Sequence, residues 1–213
     1  MIVTRRSVLT GAALLFTASV ARAGSTADLL ARIAKARAPM RTLQGPFTQT
    51  RTIGLLSTDV RSTGAMALVR PDRLRWHLAP PDDVTFWVGP EGLAYRSAHG
   101  QGRVPASSAR IAAALQDLHA LLGGDLAELG ARWSLTVLRD DASGAEFEAT
   151  AAAPDGSASS PGGARRMRFA LAPDLVRPTR ALLVEGDQDR TAIEFGDLTV
   201  NGPIDESSMR PPV

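Results

Sequence analysis

Cysteine is absent from this chain of 213 residues, and it holds only three histidines and one tyrosine. Without cysteine there is no disulfide to staple the fold, no thiolate nucleophile and no thiol to carry a lipid anchor. The apolar core must therefore suffice for stability. Long hydrophobic runs are also lacking. The longest, Val8 to Val20, follows Thr4-Arg5-Arg6 and leads into Val20-Ala21-Arg22-Ala23. A bilayer needs roughly 20 apolar residues as helix, so this run reads as a secretory signal over residues 1–23, cleaved after Ala23. Thr4-Arg5-Arg6-Ser7-Val8-Leu9 is also similar to a twin-arginine export signal, and both export routes fit. Cleavage would remove Arg5, Arg6 and Arg22 with no acid, taking the formal charge from +2 to −1. The mature chain then has no basic excess, which argues against a nucleic-acid partner. Residues 24–213 are long enough for a single domain, expected in the periplasm as a freely diffusing monomer.

What is present falls into two periodicities. Ser25 and Asp28 form a capping-box pattern, and Leu29, Ile33, Ala36 and Met40 follow at helical spacing. The pattern predicts a helix from Thr26 to Ala38, stopped near Pro39. The period then changes to two. Leu74, Trp76 and Leu78 alternate with Arg73, Arg75 and His77; Val84, Phe86 and Val88 alternate with Asp83, Thr85 and Trp87. Thr42 to Ile53 and Arg61 to Val69 read as strands of the same antiparallel sheet. A second helical stripe, Ile111, Leu115, Leu118 and Leu122, ends at Gly123-Gly124, and Asp125 to Leu129 adds a short turn of helix. Strand patterns return around Trp133 to Val137, Phe147, Met167 to Leu171, Ala181 to Val184 and Ile193 to Val200. Pro154 to Ala164, rich in Gly, Ser and Pro, reads as a mobile loop.

About ten strands with so few helices cannot be covered on both faces. The economical arrangement is an α+β fold: one strongly curved antiparallel sheet, an incomplete barrel, with the helices on its concave face. Such a shape encloses an apolar interior under a lid, the geometry of a ligand cavity.

Catalytic chemistry finds no foothold. His77 shares the polar face of its strand with Arg73 and Arg75, His99 lies in a glycine-rich turn, and His119 borders the second apolar stripe; none belongs to a motif. Metal-ligand spacings, a GxSxG elbow, a phosphate loop and a dinucleotide fingerprint are missing. Asp82-Asp83 and Asp140-Asp141 read as turn acids, since neighbours on a strand point to opposite faces. No enzyme, metal or cofactor is expected.

Several short motifs, in order, resemble the LolA-type lipoprotein carriers. They are Phe47-Thr48-Gln49, Gly64 opening a strand that ends in Arg70-Pro71, Leu74-Arg75-Trp76 and Pro80-Pro81. Near the end come Thr191-Ala192-Ile193-Glu194-Phe195 and Asn201-Gly202-Pro203-Ile204-Asp205. The resemblance implies a half-barrel closed by helices that takes a triacylated lipoprotein from an inner-membrane ABC-type release complex to an outer-membrane receptor. It also implies that Arg70 hydrogen-bonds the helical lid as a latch, and that Leu74 and Trp76 face the acyl-chain cavity. Two departures stand out. Only Tyr95 remains of an aromatic cluster expected after Gly89 to Gly92, while Leu121 to Leu126 and Glu185-Gly186-Asp187 look more like a divergent LolA-like subgroup.

The candidate acyl-chain residues are Phe47, Leu68, Leu74, Trp76 and Phe86 on strands and Leu118 and Leu122 on the lid. Large apolar residues on strands also fill ordinary cores, so the alternation alone does not separate the two roles. Trp87 has the opposite parity and is expected on the outside. Three functions remain open: lipoprotein transport, carriage of another acylated or polyene lipid, and a periplasmic sensor acting through protein contacts. The carrier reading expects an apolar hollow that the chain's own side chains leave unfilled.

Overall fold

A computed structural model describes residues 25–53, 58–104, 110–123, 133–151, 166–185 and 189–212. The expected signal over 1–23, the turn of helix at 125–129 and the loop at 154–164 lie outside the described residues.

Helix α1 spans Thr26–Arg37 and starts as its sequence dictates. The Ser25 hydroxyl accepts from the Asp28 amide and the Asp28 carboxylate accepts from the Ser25 amide, each at 3.2 Å. Its buried stripe is Leu29, Ile33 and Arg37, so an arginine occupies the last apolar position.

Among the described residues twelve strands, rather than about ten, form the sheet. They are β1 (Thr42–Ile53), β2 (Thr58–Val69), β3 (Arg73–Leu78), β4 (Val84–Gly89), β5 (Gly92–Ser97) and β6 (Gly100–Val104), followed after helix α2 (Arg110–Leu122) by β7 (Trp133–Asp141), β8 (Gly144–Ala151), β9 (Arg166–Leu171), β10 (Pro178–Glu185), β11 (Asp189–Phe195) and β12 (Thr199–Val200). The β5–β6 hairpin had no alternation to announce it, because Gly92, Gly100 and Gly102 interrupt the pattern from Gly92 to Arg103. Conversely, Ile193 to Val200 reads as one strand but breaks into β11 and β12.

The strand order is β6-β5-β4-β3-β2-β1-β11-β10-β9-β8-β7, with β12 paired to β1, and every pairing is antiparallel. The chain meanders outward from β1 to one edge at β6, passes through α2, and meanders back from the other edge at β7. β1 and β11 then join the halves. Among the described residues the two ends of the path have no strand partner, so the barrel is open, and α2 sits in the connection between its edges.

Register fixes which side chains share a face. Phe47 pairs with Gly64 and Phe195, Leu68 with Leu43 and Leu74, Trp76 with Met66 and Phe86, and Phe147 with Val137 and Phe169. Because side chains alternate along a strand, this set lines one face from β4 to β7. It merges with Leu29 and Ile33 of α1 and Leu115, Leu118, Leu121 and Leu122 of α2 in a single apolar cluster.

Candidate functional site: the roofed concave face

Six of the residues named from the sequence, Phe47, Leu68, Leu74, Trp76, Leu118 and Leu122, keep between 0% and 3% of their accessible surface, while Phe86 is half-buried against them. The concave face brings all seven into the one cluster. Phe47 stacks on Trp76 with ring centroids 3.8 Å apart and planes 27° from parallel, and Phe195 meets Trp76 edge-on at 6.3 Å. Gly64 permits the stack. A Cβ there would lie 2.1 Å from the His77 carbonyl oxygen and 2.6 Å from the Phe47 ring.

The expectation of a standing hollow is not met at these residues. Side chains with almost no accessible surface leave no room for even a water molecule beside them, inside or outside. The reason lies in α2, whose Leu118, Leu121 and Leu122 are themselves fully buried and occupy the space under the roof. A groove of about 620 Å³ opens at the margin of this cluster, lined by Phe47, Gly64 and Phe195 together with Thr63, His77 and Glu194.

Two arginines tie the roof down in series. Arg70, at the end of β2, donates to the carbonyl oxygens of Arg37 at 2.7 Å and Met40 at 3.5 Å. It thus holds the C-terminal end of α1, whereas a bond to the roofing helix α2 comes from Arg37, whose Nη1 donates to the Leu121 carbonyl at 2.6 Å. That places a cation at the negative end of the α2 dipole. Arg37 is 3% exposed, and its Nε and Nη2 have no hydrogen-bond partner among the described residues. Burial, and secondly the charge of Arg70, push the Arg37 guanidinium down to about 10, with Asp174 pulling weakly the other way. The sequence did hold a sign of Arg37: it lies four residues after Ile33 and eight after Leu29, on the buried stripe. Gly123 completes the closure. A Cβ there would fall 2.3 Å from a Leu68 methyl, so the end of α2 rests directly on the sheet.

The other polar residues do structural tasks. His77 Nδ1 meets the Thr85 hydroxyl at 3.0 Å, and the His99 amide donates to the Ser97 hydroxyl. Burial lowers the pKa of His119, against an opposing effect of the Asp72 charge. Asp140 receives Arg32 of α1 through both oxygens, at 2.9 and 2.7 Å, and Asp141 caps the turn at Ser143. Asp82 accepts from the Ser62 hydroxyl. Trp87 does point to the convex side, yet it is buried there: its Nε1 donates at 2.9 Å to the Ser208 carbonyl of the 3-10 helix Glu206–Met209. The chain's own C-terminal turn covers it.

An open antiparallel sheet with a helix over its concave face is the architecture that the sequence motifs anticipated. Residues 38–210 match the family described as outer membrane lipoprotein carrier protein LolA. The chain belongs to the LolA family. Membership of this family of carriers agrees with a binding rather than a catalytic role. No curated protein matches the chain. Among solved structures, a chain of the Pseudomonas aeruginosa MucA/MucB complex is similar at 14% identity and a TM-score of 0.48, covering 87% of this chain and 60% of that one. This LolA-family chain thus spans only 60% of the length of that relative. A LolA superfamily protein of Nitrosomonas europaea is similar at 9% identity and a TM-score of 0.44, over 86% of this chain and 96% of that one. The Mycobacterium tuberculosis lipoprotein LppX is similar at 16% identity and a TM-score of 0.41, over 85% and 99%.

Proposed function

We propose that the protein is a periplasmic carrier that shields the acyl chains of lipoproteins between an inner-membrane ABC-type release complex and an outer-membrane receptor. The observation that supports this most is the sharing of one apolar cluster between the sheet and α2. Displacing α2 uncovers the very face that its leucines now fill. The described form is then the closed one, and cargo enters by exchange with α2 rather than by occupying a standing hollow.

Magnitudes favour such an exchange. Burying a leucine stabilises by about 1.5–3 kcal/mol, so Leu115, Leu118, Leu121 and Leu122 together contribute roughly 6–12 kcal/mol to closure. An acyl chain of about 15 methylenes, at ~0.8 kcal/mol each, contributes about 12 kcal/mol when buried. One chain is therefore enough to offset the lid contacts, and a lipoprotein with three chains exceeds them, so release needs a receiving partner or membrane that takes up the chains in turn.

Depletion of the protein in its native cell, followed by tracking of lipoproteins between inner and outer membrane, tests the cargo. Lipoproteins retained at the inner membrane are expected. Correct placement of every lipoprotein after depletion would rule this cargo out and leave carriage of another acylated lipid as the reading.

A further inference from the structure

We infer that Arg37 is a head-group site within the carrier, whose unused Nε–Nη2 edge takes a carboxylate or phosphate borne by an acyl chain. The inference rests on the proposed carriage of acyl chains and narrows its ligand to anionic amphiphiles.

The geometry of the free edge carries it. Arg37 spends Nη1 on the Leu121 carbonyl and, among the described residues, leaves Nε and Nη2 without a partner while almost fully buried. Those two nitrogens lie along one edge of the planar guanidinium with parallel N–H groups. That edge matches the two oxygens of a carboxylate or phosphate as a bidentate pair. A single ester carbonyl would satisfy one donor and no charge.

Among the described residues, none supplies that anion. Asp174 acts on Arg37 only through its field. Its own oxygens are taken by the Arg177 side chain at 2.6 Å and by the amides of Val176 and Arg177 at 3.0 Å. Arg70, bonded to the Arg37 carbonyl, adds a second positive charge beside the first. Two guanidinium groups with no dedicated counter-ion among the described residues leave a buried site that an anionic head would neutralise.

The face proposed for the tail begins beside Arg37. Arg37 grips α2 at Leu121, and Gly123, two residues on, rests against Leu68 of the concave face. Arg37 also continues the Leu29 and Ile33 stripe of α1. A head at Arg37 therefore lies at the margin of the apolar cluster, with the face that α2 covers beside it.

The test is equilibrium binding to the delipidated mature chain, at pH 8, of laurate, dodecyl phosphate and methyl laurate, which share a chain length and differ in the head. Wild type is expected to bind both anions at least about tenfold more tightly than the neutral ester, a difference of the size that charge-assisted bidentate bonding provides. The better of the two anions identifies the natural head as carboxylate or phosphate. In Arg37→Met the discrimination should collapse. Arg37→Lys, which keeps the charge but loses the fork, should keep only part of it and covers the case in which Arg37→Met fails to fold. Equal binding of laurate and methyl laurate by wild type, or undiminished discrimination in Arg37→Lys, overturns the head-group site and leaves acyl carriage standing. If none of the three probes binds, carriage itself is overturned, and this site with it.

Discussion

The Arg70 guanidinium donates a 2.7 Å hydrogen bond to the carbonyl oxygen of Arg37, the residue whose own side chain grips Leu121 of α2. The turn after β2 is thereby coupled to the roof through the end of α1, in two bonds rather than one. Hydrogen bonds from charged donors contribute about 1.5–3 kcal/mol each. That is strong enough to bias the roof shut and weak enough to be overcome.

Arg70→Leu should leave the sheet folded while freeing the last turn of α1 and, through it, α2. Amide hydrogen exchange in α2 should quicken by about tenfold for each 1.4 kcal/mol of coupling lost. Cargo should still be bound but handed on poorly in a reconstituted transfer assay. Unchanged exchange in α2 would remove Arg70 from the closure.

Gly123→Ala drives a methyl into Leu68, which is fully buried and has nowhere to move. Overpacking of this kind costs about 1–3 kcal/mol. The variant should melt several degrees lower, at about 2–4 °C per kcal/mol for a chain of this size. If its melting temperature equals that of wild type, the end of α2 does not rest on the sheet in solution.

Acid should loosen the structure near α2. Burial lowers the pKa of His119, so the unfolded chain binds this proton more readily than the folded one. Stability must then fall as pH drops through the unfolded value of about 6.5, with no contribution above it. The carboxylate of Asp72 opposes the shift and limits the effect. Melting temperatures between pH 7.5 and 5.5 should decline in wild type and decline less in His119→Gln. Identical slopes would exclude His119 as the cause.

Much of this was legible in the sequence because periodicity reports faces. The alternation at Leu74, Trp76, Val84 and Phe86 set the concave face, and the capping box and leucine stripe set the two helices. The β5–β6 hairpin was not legible, since Gly92, Gly100 and Gly102 carry no side chain to alternate. Whether the hollow was filled could not be read either, because the same leucines suit a packed roof and a lining. Arg37 was passed over for a simpler reason: a charged residue on an apolar stripe looks like a helix end, and only the third dimension puts it beside Leu121.

The central claim is that acyl chains replace α2 against the concave face. Tryptophan offers a direct probe, since Trp76 lies on that face and Trp87 on the other. Two single-tryptophan proteins, keeping Trp76 or Trp87 with the other positions changed to Phe, should be titrated with a fatty acid brominated along its chain. Quenching of Trp76 with Trp87 unaffected is the predicted result. Saturable binding that leaves Trp76 fluorescence intact, or that quenches Trp87 instead, would contradict the account.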